Sequence, residues 1–229
     1  MRRIRARLCL LFALLATILP VNPCHAQIAA SIAADSDYRF RGISLSDHRA
    51  DLRLNLSYDG PPILGGNTGY AGLSLITADG PSGYVAYAGL VSKQRDGRSW
   101  EAGLTHLHFQ DRDTYDYSEV YAGLITDNFS ARLSYSPRYF GRDMSTLYTD
   151  LSAGRRLSPH VRVFAHAGAL TPLTGRYRHE RYDLRAGLAA SVANYEVQLA
   201  VTRANPIRDY TGRVLDTGNA VVLTTSAFF

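Results

Sequence analysis

Asp51-Leu52-Arg53-Leu54-Asn55-Leu56-Ser57-Tyr58 is the stretch on which the fold turns. Its apolar residues, Leu52, Leu54, Leu56 and Tyr58, alternate with Asp51, Arg53, Asn55 and Ser57. A period of two marks a β-strand, because successive side chains leave the backbone on opposite faces. One face is uncharged and the other carries the charges. The pattern returns at Phe129, Ala131, Leu133 and Tyr135, and at Leu184, Ala186, Leu188, Ala190 and Val192. It returns again at Tyr195, Val197, Leu199 and Val201.

Working outward, the chain divides into segments 30–41, 50–58, 69–77, 83–92, 99–109, 117–126, 129–136, 146–156, 160–170, 182–192, 194–203 and 219–229. An even set of about 12 strands, each with a dry and a polar face, predicts an all-β protein, an antiparallel transmembrane β-barrel. Asp59-Gly60, Asp79-Gly80 and Asp96-Gly97 read as hairpin turns between strands. A short repeat sets the phase. Tyr-Ala-Gly-Leu begins at Tyr70, Tyr87 and Tyr121, Ala-Gly-Leu at Ala102 and Ala186, and Ala-Gly at Ala153 and Ala167. Placing each Ala outside and each Gly inside keeps mainly apolar residues on one face throughout.

A soluble sandwich also alternates, so aromatic placement and loop lengths decide between the two. With the first strand starting in the periplasm, Tyr58, Trp100, Phe129, Tyr195 and Phe229 fall near the inner rim. Tyr38, Phe40, Tyr84, Tyr135 and Tyr182 then fall near the outer rim, giving two interfacial girdles. Asp127-Asn128 and Ala193-Asn194 are tight inner turns, while 137–145, 171–181 and 204–218 are longer outer loops. Residues 59–68 are long for an inner turn. The terminal Phe229, after alternating Val221, Leu223, Thr225 and Ala227, resembles the signal read by the barrel-assembly machinery.

Residues 1–26 stand apart as a signal peptide. Arg2, Arg3, Arg5 and Arg7 precede an apolar run from Leu8 to Leu19, and cleavage is expected between Ala26 and Gln27. That run is too short to span a bilayer as a helix. Residues 27–229 then form one barrel domain in the cell outer membrane. The whole chain carries 25 Lys and Arg against 20 Asp and Glu. The four leader arginines account for most of that excess, so no nucleic-acid partner is expected. Cys9 and Cys24 also lie in the leader, which excludes a disulfide framework or thiol chemistry from the rest.

Ser36-Asp37-Tyr38-Arg39-Phe40-Arg41-Gly42-Ile43-Ser44 is the most specific string in the chain. It resembles the opening signature of the TorF-type porins, the Gcw_chp outer-membrane family, although Arg39 and Leu45 depart from the pattern. The resemblance extends more weakly over the rest of the chain and implies an outer-membrane barrel and a pore.

The inward set defines the candidate site. Arg39, Arg41, Arg53, Arg132, Arg162 and Arg185 share the lumen with Asp51, Glu101, Glu119, Asp150, Asp183 and Glu196. Such a lining predicts a porin for small polar or weakly anionic solutes. The alternative is a structural or ligand-binding barrel plugged by paired charges, with Arg41 and Asp51 as one pair. A twelve-stranded barrel lies between filled eight-stranded barrels and open sixteen-stranded ones. Outer-membrane lipids, the assembly machinery and small solutes are the expected partners, with no cofactor and no metal. An outer-membrane lipid hydrolase is the rival class. His106, His108 and Ser118 are its only candidates, and no nucleophile motif surrounds them, so no enzyme is expected.

Overall fold

The computed structural model describes residues 27–63, 66–78, 82–109, 116–141, 143–175, 179–205 and 218–229. The leader with Ala26, the Asp79-Gly80 turn and residues 206–217 lie outside the described residues.

Twelve strands form one closed antiparallel barrel. They are β1 (Gln27–Asp35), β4 (Asp51–Pro62), β5 (Asn67–Ala78), β6 (Gly83–Lys93), β7 (Ser99–Phe109) and β8 (Tyr117–Ile125), followed by β9 (Phe129–Ser136), β10 (Thr146–Arg156), β11 (Val161–Pro172), β12 (Arg181–Val192), β13 (Tyr195–Ala204) and β14 (Ala220–Phe228). β2 (Arg39–Phe40) and β3 (Ile43–Ser44) pair separately as a small hairpin. Strands adjacent in sequence are adjacent in the wall, and β1 bonds to both β4 and β14. Closure leaves no free edge, so the wall's polar backbone groups find partners within it, as hydrocarbon surroundings demand.

Alternation builds the two surfaces. Leu52, Leu54, Leu56, Leu133, Leu184, Leu188, Leu199 and Val201 all lie exposed on the outside. An apolar jacket of that extent is unsuited to water. The glycine repeat is a packing rule for the inside. Gly89 sits opposite Tyr70, Gly72 opposite Tyr87, and Gly103 opposite Tyr121. A Cβ on Gly89 would come within 2.7 Å of Tyr70 Oη. The tyrosine of one strand thus covers the glycine of its neighbour, which fixes the register.

One end carries short turns at 126–128, 157–160 and 193–194, and the other carries the longer connections. Tyr58, Trp100, Phe129, Tyr195 and Phe229 ring the turn end, and Tyr135 and Tyr182 lie exposed at the loop end. Residues 59–68 are shorter as a connection than the sequence suggests. Asp59-Gly60 is not a turn but part of β4, where a register shift lies between Asp59 and Pro62. β4 ends at Pro62 and β5 begins at Asn67, with Ile63 N–H donating to Asn67 O at 2.7 Å. Gly97 does turn the chain between β6 and β7, with φ at 84°.

The largest departure is in the first predicted strand. β1 ends at Asp35, not near residue 41, and residues 36–50 leave the wall and fold into the lumen at the loop end. Tyr38-Arg39-Phe40-Arg41 alternates like a strand, but Arg41 and Gly42 take φ of 49° and 78° and reverse the chain. Tyr38 and Phe40 therefore pack inside the barrel and belong to no girdle.

Candidate functional site: the lumen and its inward hairpin

The string Ser36–Ser44 builds the hairpin residue by residue. Asp37 is its hub: Ser44 Oγ donates to it at 2.6 Å, Ser46 Oγ at 3.3 Å and Arg39 Nε at 2.6 Å. His48 Nδ1 lies 3.1 Å from the same carboxylate. Burial alone would raise the Asp37 carboxyl, but the Ser44 and Arg39 hydrogen bonds and the nearby positive charge hold it below its ordinary range. Gly42 is the tip. A Cβ there would lie 2.5 Å from the Ala204 Cβ and 2.8 Å from the Asp183 Cβ, so only glycine fits against the wall.

Arg41 fastens the hairpin across the lumen. Its Nη1 and Nη2 donate to Glu119 Oε1 and Oε2 at 2.8 and 2.7 Å, a two-pronged ion pair. The guanidinium lies 3.9 Å from the Tyr148 ring centroid and 5.0 Å from that of Phe40. Burial works against its charge, but Tyr117 and Glu119 more than offset this and hold Arg41 above its ordinary basicity. Beyond it, Ile43 and Leu45 seat in an apolar cluster with Ile76, Leu107, Phe109, Tyr117, Tyr139 and Leu170. Tyr38 packs on Arg53, 5.2 Å from ring centroid to guanidinium, and burial pushes its hydroxyl up to about 12.

Asp51, Arg53, Glu101, Glu119, Arg132, Asp150, Arg162, Asp183, Arg185 and Glu196 all occupy positions on the inward faces of their strands. Arg39 and Arg41 reach the lumen from the hairpin instead. The expected Arg41–Asp51 pair is not formed, because Arg41 is off the wall and bonded to Glu119. Most other charges are matched. Arg53 pairs with Asp35 at 2.7 Å, Arg132 with Glu101 at 2.7 Å, and Arg162 with Glu196 at 3.4 Å. Tyr70 Oη donates to Glu101 at 2.9 Å and shares a 2.7 Å bond with Tyr121 Oη. Arg185 has no carboxylate partner among the described residues; it donates to Gln198 at 3.3 Å, and its buried Nε has no partner.

Sequence reasoning missed Asp35, Asp37 and His166. His166 sits between Asp183 at 2.9 Å and Asp150 at 3.6 Å, in phase with inward Arg162, Phe164 and Gly168. That phase was the available signal. The two acids, on the strands either side of β11, are joined through it.

Two cavities flank the hairpin. The larger, about 1120 Å³, runs from the Thr126–Asn128 turn at the turn end up to Arg39, Arg41 and Gly42. Its lining holds seven arginines against four aspartates, a surplus of positive charge. The smaller, about 520 Å³, lies under Phe40 and is walled by Tyr70, Tyr87, Tyr121, Arg132 and Tyr148. Arg39, Arg41 and His166 border both.

On the outer face, His106 Nδ1 lies 2.9 Å from Ser118 Oγ, and His108 pairs with Asp116. Among the described residues no carboxylate orients His106 and no third metal-ligating side chain joins the two histidines. Among the described residues, no third group orients this contact as an activated serine requires.

A model of the Gcw_chp family, described as a bacterial protein of unknown function, matches residues 22–228. No curated protein resembles the chain in sequence. Among solved structures, the KdgM porin is similar at 13% identity and a TM-score of 0.51, over 88% of this chain and 98% of that one. The outer membrane channel DcaP of Acinetobacter baumannii is similar at 10% identity and a TM-score of 0.50, over 91% and 99%. At those identities the likeness concerns the fold.

Proposed function

Since the chain belongs to the Gcw_chp family, whose description assigns no function, we propose from the geometry that it is an outer-membrane channel for small polar or weakly anionic solutes. It is exported on a cleaved leader, with its turn end in the periplasm and its loop end outside. The TorF-type porin assignment of the opening string is part of this reading. The observation that carries it is the large cavity, polar and rich in arginine, inside a wall whose outer surface is apolar. Fixed charge in a narrow passage acts more strongly than in bulk water, so the surplus favours anions. Matched pairs such as Arg132–Glu101 keep that preference weak.

The hairpin narrows the passage at the loop end, and a barrel that it seals permanently is the second reading. Liposome swelling separates the two. Proteoliposomes containing the refolded protein should swell faster than protein-free vesicles in small neutral and anionic solutes. Swelling no faster than the blank, from protein shown to be folded, sinks the channel. Phospholipid hydrolysis by the same preparation would instead support the rival enzymatic reading.

A further inference from the structure

Four of the arginines around the larger cavity are already matched: Arg39 to Asp37, Arg41 to Glu119, Arg53 to Asp35 and Arg162 to Glu196. Arg155 and Arg156 are exposed at the turn end. Arg185 is different. It stands half-buried on the inward face of β12, and its guanidinium holds no carboxylate among the described residues. Its Nη2 donates to Gln198 Oε1 at 3.3 Å, while its Nε, shielded from solvent, has no partner there. The charges that face it are committed elsewhere. Asp35 and Arg53 face it from β1 and β4, but Asp35 accepts from Arg53 Nε at 2.7 Å and from Thr224 Oγ1 at 2.6 Å. Asp183, two residues along the same face, accepts from Tyr148 Oη at 3.1 Å and lies 2.9 Å from His166 Nε2. The direct ladder partners of Arg185 are His166 on β11 and Thr202 on β13.

We propose that Arg185 is the centre of a solute site in the lumen, one that binds the carboxylate of a small monoanionic solute. The inference rests on the channel reading and names its substrate class. A guanidinium meets a carboxylate through two parallel N–H donors, a match that a point charge does not give. The side chain is steadied without using up those donors. Its guanidinium lies 5.4 Å from the Phe164 ring centroid, and that of Arg162 lies 5.4 Å from the same ring. Gln198 is held in turn, its Nε2 donating to Glu196 Oε1 at 2.6 Å, which leaves its Oε1 for Arg185. Arg185, Gln198 and Thr202 all line the cavity, so a solute in the lumen meets them together, with the Thr202 hydroxyl as a further donor. A charged donor withdrawn from solvent and left unpaired is costly, and an arriving carboxylate relieves that cost. The nearby carboxylates of Asp35 and Asp183 disfavour a dianion, since like charges brought together repel.

The test is saturation-transfer NMR of the acetate methyl group with the folded protein in deuterated detergent at neutral pH. In the parent the signal should saturate at millimolar acetate. Arg185→Gln, shown to be folded by its heat-dependent gel mobility, should raise the half-saturating concentration about ten-fold, the ordinary worth of a charge-assisted hydrogen bond. Arg185→Lys keeps the charge but not the fork, and serves should the first variant not fold; it should raise that concentration about three-fold. Arg156→Gln, at the exposed turn end, should leave it parental. Sulfate should displace acetate no better than chloride does at equal ionic strength. A signal that never saturates in the parent, half-saturation unmoved by either Arg185 variant, or an equal change in Arg156→Gln overturns the site. Displacement by sulfate at lower concentration than chloride overturns its preference for a monoanion. Binding is read without conduction. Saturable, Arg185-dependent binding by a protein that passes no current defeats the channel reading alone, and current with binding indifferent to Arg185 defeats the site alone.

Discussion

Glu119→Gln removes the charge that fastens the hairpin. In the docked state Arg41 is held by two hydrogen bonds of 2.7 and 2.8 Å, and the two side chains are only 9% and 3% exposed. Breaking a buried pair by removing one partner costs about 3–5 kcal/mol, since a buried charge is left uncompensated. That cost falls on the docked state alone, because an undocked Arg41 is hydrated. The docked-to-undocked ratio should therefore drop by about two to four orders of magnitude. The wall should persist, since position 119 keeps its backbone partners in the β7–β8 ladder. Two measurements follow: faster alkylation of a thiol at position 43, and a larger single-channel conductance than the parent. Replacing Arg41 and Glu119 together by Leu should restore both values towards the parent, because no charge is then stranded. A Glu119→Gln protein with parental labelling and parental conductance would refute the reasoning, for Arg41 would not then be a latch.

Three further outcomes are expected. Leu188→Arg should impair assembly, as a charge at mid-membrane on a barrel exterior costs about 2–4 kcal/mol, whereas inward Arg185→Leu should leave gel mobility parental; equal damage from both contradicts the assignment of faces. Gly103→Ala drives a Cβ into the Ala88 carbonyl oxygen and to 2.5 Å from Tyr121 Oη, so it should lower stability by about 1–3 kcal/mol in urea, and an unchanged midpoint contradicts the tyrosine-over-glycine rule. Asp37 titrates below its ordinary 3.8 when docked, so its contribution is present above the usual carboxylate range and is lost as pH falls through the docked value. The near-ultraviolet tyrosine signal should fade there while far-ultraviolet β signal persists, and Asp37→Asn should abolish that acid step.

The wall was legible because two independent periodicities agree. Alternation at residues 51–58 assigns the faces, and the Ala-Gly repeat assigns the phase. Both follow from local geometry. The inward hairpin was not legible, because Tyr38, Phe40 and their neighbours alternate as a strand does; only φ at Arg41 and Gly42 tells them apart. A subtler signal was present in the receiving surface. Ile76, Leu107, Phe109 and Leu170 put apolar side chains on inward positions near the loop end, where a water-filled lumen would not want them. Ten of the twelve charged candidates sit at inward positions of the wall, Arg39 and Arg41 lie on the hairpin instead, and the expected Arg41–Asp51 pair is not formed. Which carboxylate meets Arg41 depends on a chain reversal and a reach across the barrel, and neither is encoded in spacing.

Single-channel recording of the refolded protein in a planar bilayer under a salt gradient tests the central claim most directly. The geometry predicts discrete, small conductance steps, with a reversal potential displaced modestly towards that of the anion. Replacing Arg53 and Arg185 together by Ser should move the reversal potential towards cations. A bilayer that stays silent with folded parent protein and with folded Glu119→Gln would contradict the account, because a lumen that passes no ions even with its hairpin unlatched is not a channel.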